Sequence, residues 1–190
     1  MKSKDQRPAT WSKRVLKLND DHGWTAKPGN KIFVADGGAV RFDIPGDWIV
    51  EPGTDSIKFH DRQPPDDDCL LQVSVLHLRP DINWSELLLP KLLLDVTVDD
   101  SRGVLARGEV THVRRSDLEL AWYEARFMDP VERREACSRL CLARGSNVQP
   151  FITMDFWPEH TARFDPVWDE VLNSLRLGDY VPDPTRRILH

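Results

Sequence analysis

The stretch "VRFDIPGDWIV", Val40–Val50, decides the fold, because its first half alternates apolar and polar side chains and predicts a half-buried strand. The positions expected to face the core are Val40, Phe42 and Ile44, and those expected to face solvent are Arg41 and Asp43. Pro45-Gly46 then ends the strand, since proline cannot donate to a strand ladder. Trp48 follows as a large apolar side chain, so we interpret the stretch as a folding device that plugs the sheet edge or the end of the core.

The segments around this stretch predict a mostly antiparallel sheet. Two β-rich runs, Lys31–Ala35 and Ala39–Ile44, flank Asp36-Gly37-Gly38, and glycine supplies the positive φ that a tight hairpin turn requires. Short connections also separate the later β-rich runs, and these favour antiparallel neighbours because parallel strands need long crossovers. The later runs are Asp55–His60, Cys69–Leu78, Gly108–Arg115, Leu118–Met128, Glu135–Gly145 and Gln149–Trp157.

Two segments have helical patterns. The first is Asp81–Val96, for which Asn83 is a candidate cap. Pro90 predicts a kink in this segment or a second short helix with the proline at its first position. The second is expected to be capped by Asp165, with Pro166 in its first turn and Gly178 just past its end. One apolar stripe, which should press on the sheet, joins Phe164, Val167, Trp168, Val171, Leu172 and Leu175.

This order of elements predicts an α/β fold of the α+β type, with a central, mostly antiparallel sheet and a C-terminal helix packed on it. The chain of 190 residues is long enough to bury a core without disulfides or metal. We expect a basic N-terminal extension over residues 1–30, a single domain over 31–178 and an irregular tail over 179–190.

Charge limits the partners. The formal net charge of −5 disfavours nucleic acid as the main partner, because phosphate binding needs a cationic surface. Residues 1–20 are different, since they hold six Lys or Arg and two Asp, a balance of +4. Two interpretations stand for this segment, a solvated tail or a basic arm that docks on an acidic partner.

The sequence predicts a soluble cytoplasmic protein. The most apolar run, Leu87–Leu94, is interrupted by Lys91 and is too short to span a bilayer, and residues 1–20 contain no apolar core of a secretory signal. Three cysteines without metal spacing are typical of reduced thiols in the cytoplasm.

The early strand and the late strand-helix ending resemble those of the PsbP-like (Mog-type) superfamily. The matching residues are Phe42-Asp43-Ile44-Pro45-Gly46-Asp47-Trp48 and, after "FITMDF", Ser174-Leu175. The resemblance covers about residues 31–178 and implies an α/β/α sandwich around an antiparallel sheet. It also implies a non-enzymatic role, since the characterised members are mostly non-enzymatic. They include a Ran-binding nuclear import factor, extrinsic photosystem subunits, envelope lipoproteins and chaperones for secreted effectors.

No motif in the sequence predicts catalysis, a cofactor or a metal. Gly37-Gly38 lacks the spacing and the lysine of a phosphate loop. Cys137 and Cys141 share a strand face but lie about 13 Å apart at about 3.3 Å per residue, too far for one metal. The run Asp66–Asp68, with Asp61 nearby, is expected to be a solvated loop, and a weak cation site is the alternative.

Alternation along the last three long strands predicts one mixed face that combines two tryptophans, two arginines and two carboxylates. The residues of this candidate partner-binding face are Trp122, Glu124, Arg126, Arg139, Asp155 and Trp157. One interpretation is a ladder of cross-strand ion pairs, each contributing about 0.2–1 kcal/mol. The other is a recognition surface, because Trp and Arg dominate binding hot spots.

Three functions follow as hypotheses. The first is a non-enzymatic protein-interaction or adaptor domain whose partner is another protein. The second is a small-molecule-binding or enzymatic domain with a pocket between sheet and helix, which a titratable group with a shifted pKa would support. The third is a structural subunit of an oligomer.

Overall fold

The computed structural model describes residues 23–98, 100 and 102–180, and strands predominate in this part of the chain. The elements are β1 (Asn30–Ala35), β2 (Val40–Pro45), β3 (Ile49–Pro52), β4 (Ile57–His60), β5 (Cys69–His77), α1 (Leu89–Val96), β6 (Val104–Arg107), β7 (Thr111–Arg114), β8 (Glu119–Met128), β9 (Glu135–Arg144), β10 (Val148–Phe156), α2 (Thr161–Ser174) and β11 (Arg176–Leu177). The predicted basic segment over residues 1–20 lies outside the described residues, and the predicted domain boundaries stay predictions.

The predicted hairpin forms a small antiparallel sheet with strand order β1-β2-β11. A 3-10 turn over Asp36–Gly38 joins β1 to β2. Gly38 has a φ of 110°, and a Cβ there would lie 2.1 Å from the carbonyl oxygen of Asp179, so both conformation and space require glycine. The hairpin therefore depends on a residue without a side chain at this position.

The second sheet has eight strands, and its path runs β3-β4-β5-β10-β9-β8-β6, with β7 also paired to β8. Its strand pairs are antiparallel, as the short connections predicted. The α+β prediction is confirmed. Three strands were not anticipated, namely the short strands β3 and β11 and the separate strand β6.

Both faces of the large sheet are apolar, and each is covered by a different helix. The main core lies between one face, the small sheet and α2, and it includes Leu120, Cys141 and Ile152. A second cluster on the opposite face packs Leu89 and Leu93 of α1 against β8 and β9. This arrangement is the α/β/α layering that the PsbP-like resemblance implied.

The two helices begin at positions that allow their apolar side chains to be buried against the sheet. The predicted second helix begins at Thr161, not beside Asp165, so Pro166 lies inside it. Its apolar stripe is confirmed, since Phe164 and Trp168 are 1% and 0% exposed. The energy of burying these rings outweighs the one hydrogen bond that the proline cannot make. Pro90 is the second residue of α1, so the alternative of a separate short helix is the observed one.

The opening stretch is buried more completely than its pattern indicated. Val40, Phe42 and Ile44 are each fully buried, as expected. The expectation that Asp43 faces solvent is wrong, since this residue is 7% exposed and its backbone N–H donates to the Ser174 hydroxyl at 2.8 Å. The end of α2 covers this side of β2, a contact that alternation within one strand does not reveal.

Candidate functional site

The predicted mixed face is divided between the two sides of the sheet. Glu124 pairs with Arg139 across β8 and β9, so these two side chains share the face that α2 covers. Asp155 pairs instead with Ser138, which lies on the opposite face. The expectation that Asp155 lies beside Arg139 is therefore wrong. The side chains of β10 alternate between the two faces of the sheet in the order opposite to the expected one.

Trp157 lies just past the end of β10 and belongs to neither group. The guanidinium of Arg134 lies 3.5 Å from the centre of its indole ring. Arg126 is exposed on β8, where it forms an ion pair of 2.9 Å with Glu135. The structure thus brings together Trp122, Glu124, Arg126 and Arg139 from the predicted set and separates Asp155 and Trp157 from them.

Asp155 has a structural environment on the α1 side of the sheet. Its carboxylate lies 3.2 Å from Arg102, whose guanidinium also contacts the Ser138 hydroxyl and forms a bidentate pair with Asp100. Burial raises the pKa of Asp155, and the hydrogen bond from Ser138 opposes this rise. These contacts fix the loop after α1 to the sheet.

Arg139 connects α2 to the sheet and is not an exposed binding residue. It is 6% exposed, and its Nε donates to Glu124 at 2.9 Å while its other end contacts Asp165 of α2. Its guanidinium also lies 5.0 Å from the ring of Phe156. Removing this side chain would leave two carboxylates without their cation, so its mutation cannot isolate a binding role.

Trp122 is the member of the predicted set that lines a cleft. It is half-buried, and its ring meets Trp168 edge-on with ring centres 5.8 Å apart. The remaining surface of the indole lines a cleft of about 150 Å³ between α2 and the strands β7 and β8. The residues around this α2–β8 cleft are Val113, Arg115, Leu120, Trp122, Asp169, Leu172 and Asn173.

Arg115 forms one end of the α2–β8 cleft and caps α2. Its guanidinium donates to the carbonyl oxygens of Leu172, Asn173 and Leu175 at 3.2, 3.0 and 2.5 Å. Burial lowers the pKa of this guanidinium, and the nearby carboxylate of Asp117 opposes the shift. A cation at this end neutralises the partial negative charge of the last helical carbonyl groups. Arg115 therefore stabilises the C-terminal end of α2.

The acidic loop differs from the solvated segment expected from its sequence. The side chain of Asp61 is fully buried, accepts the backbone N–H groups of Asp68 and Cys69, and pairs with Arg163 at 2.8 Å. Asp68 is paired with Arg62 and Arg163. Arginines therefore occupy the positions around these carboxylates. Across the part of the chain that the structure describes, no group of three or more His, Cys, Asp or Glu is placed to hold a metal ion.

The sequence analysis selected Trp122 as a candidate site residue but named no other residue that lines the cleft as one. Asp169 and Asn173 are one helical turn apart on α2, a spacing that places them on one side of the helix. Nothing in the sequence indicated which strand this side would meet. In the described ranges, neither helix is long and apolar enough to cross a membrane.

The fold is similar to that of solved structures at low sequence identity. The solution structure of cyanobacterial PsbP (CyanoP) from Synechocystis matches with a TM-score of 0.56 and 13% identity, over 82% of this chain and 98% of that one. A crystal structure from Bacteroides thetaiotaomicron matches with a TM-score of 0.53 and 17% identity, over 78% of this chain. The chain spans about half the length of the Bacteroides protein, 48%. These matches support a PsbP-like fold, and the Mog-type subdivision stays a prediction.

Sequence comparison gives a nearer relationship. The Nostoc protein alr1449 is 46% identical over 176 residues, which are 92% of this chain and 91% of that protein. The model of the Alr1449 family matches residues 31–181, which include the two strands, β7 and β8, and the helix that build the α2–β8 cleft. The chain therefore belongs to the Alr1449 family.

Proposed function

We propose that this protein is a non-enzymatic protein-interaction domain and that the α2–β8 cleft is its binding surface. The observation that carries the proposal is the position of Trp122, a large aromatic side chain left half-buried at an open cleft between a helix and an edge of the sheet. Half-buried tryptophans beside concave surfaces are typical of binding hot spots. The PsbP-like resemblance implies the same class of function.

The surroundings of the cleft support a protein partner. Val113 is 39% exposed, and β7, the strand that carries it, pairs with β8 but with no other strand of the described chain. An open strand edge offers backbone N–H and C=O groups to an extended segment of a partner. Side chains of such a segment would lie beside Thr111 and Val113, and a long side chain would reach over β7 toward Trp122, because the added strand lies two strand spacings, about 10 Å, from β8.

The size of the cleft argues against the alternative of a small-molecule or enzymatic site. Its volume of about 150 Å³ is below the roughly 300–1,000 Å³ typical of ligand pockets. A cleft of this size suits a single side chain. The lowered pKa of Arg115 follows from its burial under α2 and leaves the group a cation, so it is not a candidate acid or base.

Affinity capture from a lysate of the source organism tests the proposal, with wild-type protein and two matched variants as bait. Trp122→Ala removes the indole from the cleft, whereas Trp157→Ala removes a half-buried indole elsewhere. We expect one stoichiometric protein on wild type and on Trp157→Ala, and its loss on Trp122→Ala. Circular dichroism spectra that match wild type are required for both variants.

Three results would contradict the proposal. Capture that is equal on all three baits would place the binding surface elsewhere. A ligand-dependent rise in melting temperature with metabolites, abolished by Trp122→Ala and without a captured protein, would favour the small-molecule alternative. If the native mass of the wild-type protein were a multiple of the chain mass and that of Trp122→Ala were the monomer mass, the hypothesis of a structural subunit of an oligomer would be favoured.

The expected cytoplasmic location is part of the same proposal. The three cysteines, Cys69, Cys137 and Cys141, are buried free thiols, which suits a reducing compartment. Fractionation of source cells, followed by immunoblotting of the full-length protein, checks this location. Recovery with the membrane or periplasmic fraction would contradict it.

A further inference from the structure

We propose that the α2–β8 cleft recognises a basic side chain, with arginine preferred over lysine, on an extended segment of the partner protein. This inference rests on the proposed function and specifies its ligand. It follows from the charge, the aromatic surface and the apolar walls that meet in the cleft.

The charge available to a ligand is negative. Asp169 is exposed on the α2 wall of the cleft, and no basic group of the described chain forms an ion pair with it. Asp165, one turn earlier on the same helix, is by contrast paired with Arg139. Asp169 therefore presents an uncompensated carboxylate at the mouth of the cleft, and such a carboxylate attracts a cation.

The cation already in the cleft does not cancel this preference. Arg115 directs its guanidinium at three carbonyl oxygens of the α2 C-terminus and lies 3.4 Å from Asp117. Arg176 similarly donates to the carbonyl oxygens of Asn173 and Leu175. Both charges are engaged with the negative end of the helix and with Asp117, so an incoming anion would have to compete with these partners.

The walls fit the rest of a basic side chain. Trp122 offers part of an indole surface, on which a planar guanidinium stacks favourably. Leu120, Leu172 and Val113 supply apolar surface for the methylene stem. A cleft that combines an indole, a carboxylate and aliphatic walls discriminates a cationic side chain from a neutral one of the same shape.

The neighbouring edge of the sheet indicates how the side chain arrives. β7 has Thr111 and Val113 on the side of the sheet that bears Trp122 and Leu120, because these residues are direct cross-strand partners. A segment added to the outer edge of β7 would place every second side chain on this same side. One of these positions lies beside the α2–β8 cleft.

Nuclear magnetic resonance titration of the full chain tests the inference without knowledge of the partner. The probe is N-acetyl-arginine methylamide, the neutral control is N-acetyl-citrulline methylamide, and the signal is the indole N–H of Trp122, assigned with Trp122→Phe. We expect a saturable shift with the arginine probe and none with citrulline at equal concentration. Asp169→Asn should weaken arginine binding at least fivefold, whereas Asp55→Asn, which changes an exposed carboxylate in the β3–β4 turn, should not.

Each other result would overturn the inference. Equal shifts with arginine and citrulline would mean that the indole binds planar groups without regard to charge. Stronger binding of N-acetyl-glutamate methylamide would assign the cleft to an anion at Arg115. Absence of arginine binding together with Trp122-dependent capture of a protein would refute the basic ligand while leaving the interaction function intact, and loss of both would refute both.

Discussion

Trp48 closes the end of the main core. Its side chain is 5% exposed, and its ring meets Phe164 of α2 edge-on with ring centres 6.2 Å apart. Its backbone carbonyl also accepts a hydrogen bond from the Lys31 side chain at 2.5 Å. The Pro-Gly break before it turns the chain so that this one residue links the small sheet, the large sheet and the helix.

Replacing Trp48 with alanine should lower the free energy of unfolding by about 3–5 kcal/mol, because the change empties a large buried aromatic site. Urea unfolding followed by circular dichroism measures the loss. Tyr180→Ala is the control, since Tyr180 is 57% exposed and its replacement should change stability by less than about 0.5 kcal/mol. A loss below about 1 kcal/mol for Trp48→Ala would show that the ring is not a core residue.

At the scale of elements, α2 is held at both ends by arginines of the sheet. Arg139 contacts Asp165 in the first half of the helix, and Arg115 donates hydrogen bonds to the carbonyl oxygens of its last turn. The apolar stripe between these contacts fixes the rotation of the helix about its axis. The α2–β8 cleft exists because this rotation leaves Asp169 and Asn173 beside the edge of the sheet.

Replacing Arg115 with alanine should destabilise the protein by about 1–2 kcal/mol, because the last carbonyl groups of α2 lose their donor and their compensating charge. Thermal unfolding monitored by circular dichroism would show a lower melting temperature. Arg114→Ala is a matched control one residue away, since that side chain is 72% exposed and should contribute less than about 0.5 kcal/mol. Equal effects of the two changes would contradict the capping role.

A second ion pair fixes the turn before α1. Arg144 at the end of β9 contacts Glu119 and donates to the carbonyl oxygens of Trp84 and Leu87. Burial alone would raise the pKa of Glu119, but the hydrogen bond and charge of Arg144 outweigh it and hold this pKa below its ordinary value of 4.5. A lowered pKa in the folded state means that the ionised carboxylate stabilises the fold.

The stabilisation by Glu119 is fully present above the ordinary pKa of 4.5 and is lost as the pH falls through the lower value of the folded state. Glu119→Gln should therefore be less stable than wild type near pH 7, and the difference should shrink as the pH falls below 4.5. Urea unfolding between pH 7 and pH 3 measures both. Glu109→Gln, at an exposed position, should match wild type at every pH, and a difference independent of pH for Glu119→Gln would contradict the assignment.

At the scale of the whole molecule, we expect the two cores to unfold as one cooperative unit, because β8 and β9 supply side chains to both. The three cysteines lie in β5 and β9, at the centre of this shared sheet, and are at most 1% exposed. Burial raises the pKa of each thiol above its ordinary value of 9.0. Both effects suppress thiol chemistry in the folded protein.

The native protein should therefore show no reaction of its three thiols with Ellman's reagent at pH 8, and the three should react together once guanidinium unfolds the chain. Absorbance at each guanidinium concentration, compared with circular dichroism, follows the process. Ser85→Cys, at an exposed position, is the control and should add one thiol that reacts at once. Reaction of one native cysteine well before the others would show that part of the sheet opens separately.

The sequence by itself determined most of the elements and the α+β class, whereas the short strands β3, β6 and β11 were not anticipated. Alternation identified the hairpin and the long strands, helical spacing identified the apolar stripe of α2, and Pro45-Gly46 with Trp48 marked the corner of the core. These features are local, because a strand or a helix with one buried side repeats its apolar residues with the period of the backbone. Trp122 was likewise selected from its residue type and its place in a strand.

Only the tertiary structure decided which faces meet. Alternation separates the two sides of β10, but it does not show which side joins Arg139 when both faces of the sheet are apolar, so Asp155 was assigned to the wrong side. The α2–β8 cleft was equally hidden, since Arg115 and Asp169 are brought together by the docking of α2. The physical reason is that periodicity is a property of one element, whereas a site depends on the relative placement of several.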